Sequence, residues 1–329
     1  MIDETIVPAH GSELDLQEFF HMLALRVFGY FSAGHDYSSD PSAKWINHTV
    51  SHGSNIIGEH IVLGLPVWDF IPRISNLKKD VVRMHAHIEG IIQAREALRA
   101  SPPTPDWVEN DDPLKGMLDA SMPRQEMYEH FTTLLSAGHD TTAFFGCYMA
   151  YMLACHPSVQ QKVKDEVASV LGGRTDITPE DAKKMVYTAN VMKETLRLYT
   201  VIPFVNRTTV KDVTLRENKL KLPSGTTCLV PLCLMNRDGD VWEDPNEFRP
   251  ERFEGTGISD NSAKHGFLPF GYGSRTCIGN TLALVEGNVM FALLMQRVTF
   301  KKVEGFKPRI TAGISLVSSN GIKVMVEVD

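Results

Sequence analysis

The sequence predicts a mainly α-helical fold with small β-sheets, organised as one domain over residues 1–329. Three observations carry that reading. Apolar residues recur at helical spacing through the first two-thirds of the chain. Short alternating stretches begin near Val205, separated by Pro and Gly turns. A further helical run, Ile278 to Gln296, follows a region rich in Asn, Asp, Pro and Gly between Met235 and Phe253.

In chain order, Asp15 to Phe31 carries a broad apolar stripe that includes Leu16, Phe19, Phe20, Leu23 and Val27. Pro41-Ser42 starts a second helical run towards Leu65-Pro66, and Leu77 to Leu98 forms a third, closed by a loop at Pro102, Pro103 and Pro105. Glu126 to Cys155 is apolar around most of its circumference, so it is expected to run through the protein interior. His156-Pro157 ends it, since the residue before a proline is pushed out of the helical region, and Pro157 opens the next helix, capped at Gly172-Gly173. Thr178-Pro179-Glu180-Asp181 reads as an N-cap with acids in the first turn, and Tyr187 to Tyr199 completes the helical part. Strands are expected at Val205–Val210, Val213–Leu215, Lys219–Leu222 and Thr226–Val230. Asn320-Gly321, between Ile314–Val317 and Ile322–Val328, carries the signal of a two-residue hairpin.

Composition narrows the function classes. The chain has 329 residues, 43% apolar and 22% charged, enough to bury a core without disulfides or structural metals and too apolar for disorder. A net charge of −7 without a run of like charges argues against a nucleic-acid partner. Cys147, Cys155, Cys228, Cys233 and Cys277 form no C-x-x-C pair and read as reduced thiols. The start, Met1-Ile2-Asp3-Glu4-Thr5, has no basic signal-peptide region, and no stretch reaches the ~18 apolar residues of a membrane span. An intracellular protein with no membrane anchor in this chain is therefore expected.

The most informative segment is Phe270-Gly271-Tyr272-Gly273-Ser274-Arg275-Thr276-Cys277-Ile278-Gly279. Its glycines let the backbone approach a flat ligand, and Cys277 falls at the start of the helix expected near Ile278. Free N–H groups and the helix dipole favour a thiolate there, a soft ligand suited to haem iron, while Arg275 can reach a propionate. The segment resembles the haem-binding loop of the cytochrome P450 family, F-x-x-G-x-R-x-C-x-G, at every specified position. Glu194-Thr195-Leu196-Arg197 resembles the family's E-x-x-R pair, and Phe248-Arg249-Pro250-Glu251-Arg252-Phe253 its meander motif. The resemblance implies a buried charged triad of Glu194, Arg197 and Arg252. A Glu and an Arg three residues apart share a helix face, which makes that pairing natural.

Ala137-Gly138-His139-Asp140-Thr141-Thr142 places poor helix formers inside the long apolar helix. Such a broken local rule points to function, with Gly138 leaving room for a ligand and Asp140 and Thr141 able to open the hydrogen-bond ladder. The segment resembles the family's A/G-G-x-D/E-T motif, which implies proton delivery by Asp140 and Thr141. His139 reads as an ordinary hydrogen-bonded histidine. His48 and His52 share a helix face but have no evident third metal ligand, and read as structural or surface residues. Arg207 resembles the family's second propionate-binding arginine.

Together these resemblances imply a haem-thiolate monooxygenase that binds haem b and inserts one atom of O₂ into a small lipophilic substrate. Cys277 is the implied axial iron ligand, Arg275 and Arg207 the propionate partners. Phe270 is expected to pack near the thiolate and Gly279 to keep the backbone close to it. Electrons are expected from NADPH-cytochrome P450 reductase or another separate donor, and similar full-length proteins sit on the endoplasmic reticulum membrane. The resemblance begins near Asp15, and members are usually longer by roughly a hundred residues ahead of that point. The expected fold is thus the cytochrome P450 fold lacking its N-terminal part. The alternative is a non-catalytic relative, or a piece of an active enzyme, that binds haem weakly.

Overall fold

The computed structural model describes residues 1–63, 71–102, 104, 107–215, 219–255 and 266–329, with backbone alone over 59–63. The expected end of the second helical run at Leu65-Pro66, and Pro103 and Pro105, lie outside the described residues. Strand β1 (Glu13–Asp15) leads directly into helix α1 (Leu16–Ala33), whose N-cap Asp15 accepts the Gln17 amide at 3.1 Å. Gly34 closes α1 in the left-handed region, φ 59°. Helices α2 (Ala43–Leu63) and α3 (Pro72–Ala100) follow. The sequence pattern passed over the next one, α4 (Pro113–Asp119), a two-turn helix capped by Asp112.

Helix α5 (Arg124–Cys155) is the axis of the fold, and every residue from Thr142 to Ala154 is buried. A helix can be buried all round only if neighbours cover each face, and α1, α2, α3, α6 (Pro157–Leu171), α8 (Val186–Leu198) and α10 (Asn280–Met295) all pack on it. The approach of α1 requires Gly146, because a Cβ there would stand 2.5 Å from Phe20 Cδ1. Between α6 and α8, α7 (Pro179–Lys184) opens with a capping box in which the Thr178 and Asp181 side chains each bond the other's backbone amide.

The β structure is a set of small antiparallel sheets. Strands β2 (Val205–Thr208) and β5 (Thr227–Val230) pair antiparallel, as do β3 (Val213–Thr214) and β4 (Lys221–Leu222). The short helix α9 (Leu232–Met235) then enters the meander. The hairpin expected at Asn320-Gly321 does not form. Strand β8 (Leu316–Ser318) pairs instead with β7 (Ile310–Ala312). Strand β9 (Lys323–Val328) becomes the middle of a sheet between β1 and β6 (Val298–Lys302). A two-residue type I′ turn needs positive φ at both central positions, and Gly321 has it but Asn320 does not. The Asn320 side chain is bonded to the backbone of Arg309 and Lys307, while Ile322, Val324 and Val326 take up fully buried positions.

Gly146→Ala is expected to lower stability. Overpacking costs about 1–3 kcal/mol, more than the ~1 kcal/mol that alanine gains in helix propensity. Gly90→Ala on α3, with nothing within 4 Å of its Cβ position, is expected to gain roughly 0.5–1 kcal/mol. Denaturant midpoints of the two variants, measured side by side, check the opposite signs.

Candidate functional site

Helix α8 buries a charge cluster. The Arg197 guanidinium forks onto Glu194, Nε to Oε2 at 2.7 Å and Nη2 to Oε1 at 2.8 Å, with both side chains fully buried. The Arg252 Nε donates to the same Oε1 at 3.1 Å and the Arg249 amide at 2.8 Å. The other N–H groups of Arg197 reach the carbonyls of Asn236, Pro245 and Glu247 at 2.7–2.9 Å. Two buried charges are tolerable only when paired and fully hydrogen-bonded, and here the partners are the backbone of the meander itself. The meander is thereby held against α8, with Trp242, Phe253 and Phe267 packed together beside it and the Arg197 guanidinium over the Trp242 ring.

From this anchored stretch the chain passes to the glycine loop. Gly271 and Gly273 have φ of +73° and +76°, and the turn closes with the Cys277 amide donating to the Phe270 carbonyl at 2.9 Å. Helix α10 begins two residues later than Ile278, with Gly279 as its N-cap. The Gly279 carbonyl accepts the first regular helical bond, from Ala283 at 2.9 Å, so Cys277 stands just ahead of the helix mouth. Its side chain is exposed on the wall of a cavity of about 470 Å³.

That cavity collects most of the candidate residues. Phe270, Arg275, Cys277, Gly279 and Arg207 line it, together with Gly138 and Thr141 of α5. Arg207, on β2, is exposed and donates to the Asn206 carbonyl at 2.7 Å. The rest of the wall is largely apolar, supplied by residues such as Val27, Phe28, Phe145, Leu196 and Leu282.

Asp140 is not part of that wall. Consecutive residues on a helix point about 100° apart, so Asp140 faces away from the cavity into a buried cluster between α1, α2 and α5. Its Oδ1 accepts from Ser51 Oγ at 2.9 Å and His139 Nδ1 at 3.0 Å, and His21 Nε2 lies 3.6 Å away. Burial opposes its ionisation, but the bond from His139 and the nearby His21 imidazole outweigh that and hold the carboxyl well below its usual range. Burial lowers the pKa of His139 and so favours its neutral form. Nor is the helix opened here: α5 is continuous, and Thr141 donates its hydroxyl to the Ala137 carbonyl at 2.6 Å.

The sequence reading missed Glu286. It lies on α10 and lines the cavity, and among the described residues its carboxyl has no ion-pair partner. Burial raises it from an ordinary value of 4.5 to about 7. The available signal was a lone acid on an otherwise apolar helix, nine positions after Cys277. The remaining thiols stand elsewhere, and burial pushes those of Cys147 and Cys155 up, away from reactivity. His48 and His52 are exposed and stack on each other, ring centroids 5.6 Å apart.

A sequence profile of the family described as Cytochrome P450 matches residues 2–325. The chain belongs to the cytochrome P450 family. The match starts ahead of Asp15, where the motifs alone placed its beginning. Among relatives, the LUTEIN DEFICIENT 5 protein of Arabidopsis thaliana is 28% identical over 96% of this chain and 55% of its own length. Cytochrome P450 4A24 and taurochenodeoxycholic 6 alpha-hydroxylase, both of Sus scrofa, are 38% and 36% identical over 58% of this chain and 37% of their lengths. The chain thus spans about half the length, or less, of these relatives. Cytochrome P450 proteins carry haem b, and the cavity's donor set fits it. A soft sulfur donor is exposed on one wall, two guanidinium groups can meet its carboxylates, and glycines stand where the backbone comes close. Among the described residues no helix is long and apolar enough to cross a membrane.

Glu286 makes stability pH-dependent. A carboxyl with a raised folded pKa stabilises the fold while protonated, and that contribution is lost as pH rises from 4.5 through about 7. Glu286→Gln in the ligand-free chain is therefore expected to exceed the parent by up to about 3 kcal/mol at pH 8 and to match it near pH 4.5. Urea unfolding at the two pH values reads the difference.

Proposed function

We propose that this chain is the haem-bearing part of a monooxygenase that inserts one oxygen atom from O₂ into a lipophilic organic substrate. The observation that carries this reading is that Cys277 and Thr141 line one and the same largely apolar cavity. Haem b, held by Cys277 at the iron and by Arg275 and Arg207 at the propionates, would supply the reductive activation of O₂ there.

The chain's own residues set the conditions for that chemistry. Gly271 and Gly273 bend the loop so that Cys277 projects into the cavity, and Phe270 anchors its amide. Phe28, Phe145, Leu196 and Leu282 exclude water and offer a lipophilic molecule its contact surface. Thr141 Oγ1 gives its own hydrogen to the Ala137 carbonyl and keeps its lone pairs for a donor within the cavity, which suits a proton relay. Asp140 takes the positioning role. It ties α5 to Ser51 of α2 and so helps fix the rotation of the helix that presents Thr141 and Gly138. Electrons come in this reading from NADPH-cytochrome P450 reductase or another separate donor, and the working location is the endoplasmic reticulum membrane.

Two measurements test the proposal. The reduced, haem-loaded chain with carbon monoxide is expected to show the red-shifted Soret band of thiolate ligation, and Cys277→Ser to abolish it. A band that survives in the serine variant assigns the iron to another ligand. Thr141→Ala is expected to keep that spectrum while diverting consumed O₂ to peroxide, read as product formed per reducing equivalent. Unchanged coupling removes Thr141 from the relay.

A further inference from the structure

Away from the cavity, the turn after α1 folds back to meet α3. Gly34 reverses the chain in the left-handed region, and the His35 amide bonds the Gly29 carbonyl at 3.0 Å. Gly29 admits the return, because a Cβ there would lie 2.5 Å from the ring of Tyr37, itself buried. The result brings an imidazole and a carboxylate of this turn together with an imidazole of α3. One ligand atom from each of His35, Asp40 and His87 lies within 4.8 Å of the others. All three side chains are partly buried, at 15–28% exposure, so the cluster is reachable from solvent without being loose on the surface.

We propose that His35, Asp40 and His87 form a binding site for a divalent transition cation of the zinc type. His35 Nε2 is 2.7 Å and His87 Nε2 3.9 Å from the same oxygen, Asp40 Oδ2. Bonds of about 2.0–2.1 Å in a tetrahedron place ligand atoms roughly 3.3 Å apart. Closing on a cation therefore asks each imidazole-to-Asp40 contact to change by only about half an ångström, with the two imidazole nitrogens already within 4.8 Å of each other. The supporting bonds already orient the ligands. Asp40 Oδ1 accepts the Ser42 amide at 2.8 Å, which leaves Oδ2 for the cation. His87 Nδ1 faces Ser42 Oγ at 3.5 Å, and that hydroxyl can accept its N–H, which leaves the lone pair on Nε2 for a cation. That nitrogen sits 3.2 Å from the Tyr37 hydroxyl, the bond a cation would replace. Two imidazole nitrogens select against magnesium and calcium, which prefer oxygen cages, and water would fill the fourth position. Bound metal would fasten the turn after α1 to α3.

Zinc chloride, added to the full chain and followed by equilibrium dialysis and metal analysis, is expected to give one zinc per chain at micromolar metal. Asp40→Asn and His87→Ala are expected to weaken binding more than about 100-fold, beyond what loss of a supporting residue does. Cys277→Ser and the double change His48→Ala, His52→Ala are expected to bind as the parent does, which separates this cluster from the exposed thiol and from the stacked histidine pair. Zinc is also expected to raise the melting temperature of the parent and not of Asp40→Asn. Should His87→Ala fail to fold by circular dichroism, His35→Gln is read in its place. No zinc bound by the parent, or unchanged affinity in the folded Asp40→Asn and replacement variants, overturns the site.

Discussion

Arg197 is the constraint around which the cavity is built. Its guanidinium is fully buried, a position that water cannot reach, so every N–H must find an acceptor within the protein. Glu194 takes two of them, and the carbonyls of Asn236, Pro245 and Glu247 take others. Removing one member of such a pair typically costs ~3–5 kcal/mol because the other charge is stranded. Among the described residues between α9 and the glycine loop, regular structure is confined to the single turn Pro250–Phe253. The course through Asn236, Pro245 and Glu247 is set instead by where the arginine needs acceptors.

Helix α5 does the complementary work along the cavity wall. Its two faces carry unlike chemistry within a single turn. Gly138 and Thr141 look into the apolar cavity, while His139 and Asp140 look into a polar pocket closed by His21 and Ser51. The buried carboxylate resists loss of its charge because its hydrogen-bond donors outweigh desolvation. A rotation of α5 that brought Asp140 towards the cavity would leave those donors unmatched. Gly146 and Gly287 press the same helix from two other sides, against Phe20 of α1 and against Met192 of α8 and Phe145 of α5 itself. Polar matching and close packing therefore fix the same orientation independently.

Much of this was legible in the residues. Proline and glycine marked the ends of α5 and α6 correctly, since Pro157 cannot continue a helix from His156 and Gly172 tolerates the left-handed cap at φ 57°. The glycine loop with Cys277, the Glu194–Arg197 spacing and the Arg252 motif each carried chemistry in a short stretch. Glu286 and α4 were present in the sequence but quiet, one a single acid on an apolar helix, the other a helix too short to show a period.

The sequence alone determined most of the helical segments and that α5 must be buried, because those follow from backbone preference and local hydrophobic spacing, and its glycine loop ahead of a helix start singled out Cys277 among the cysteines. Only the tertiary structure decided what each segment faces. Asn320-Gly321 had the local form of a hairpin, yet the burial of Ile322, Val324 and Val326 drew β9 between β1 and β6, more than 300 and more than 20 residues away in the chain. Asp140 and Thr141 are neighbours whose surroundings differ because α1 and α2 cover one side of the helix and the cavity the other. His35, Asp40 and His87 meet because Gly34 turns the chain and Gly29 lets it lie flat. Contacts of this kind depend on summed burial across distant segments, a quantity that no single stretch of residues contains.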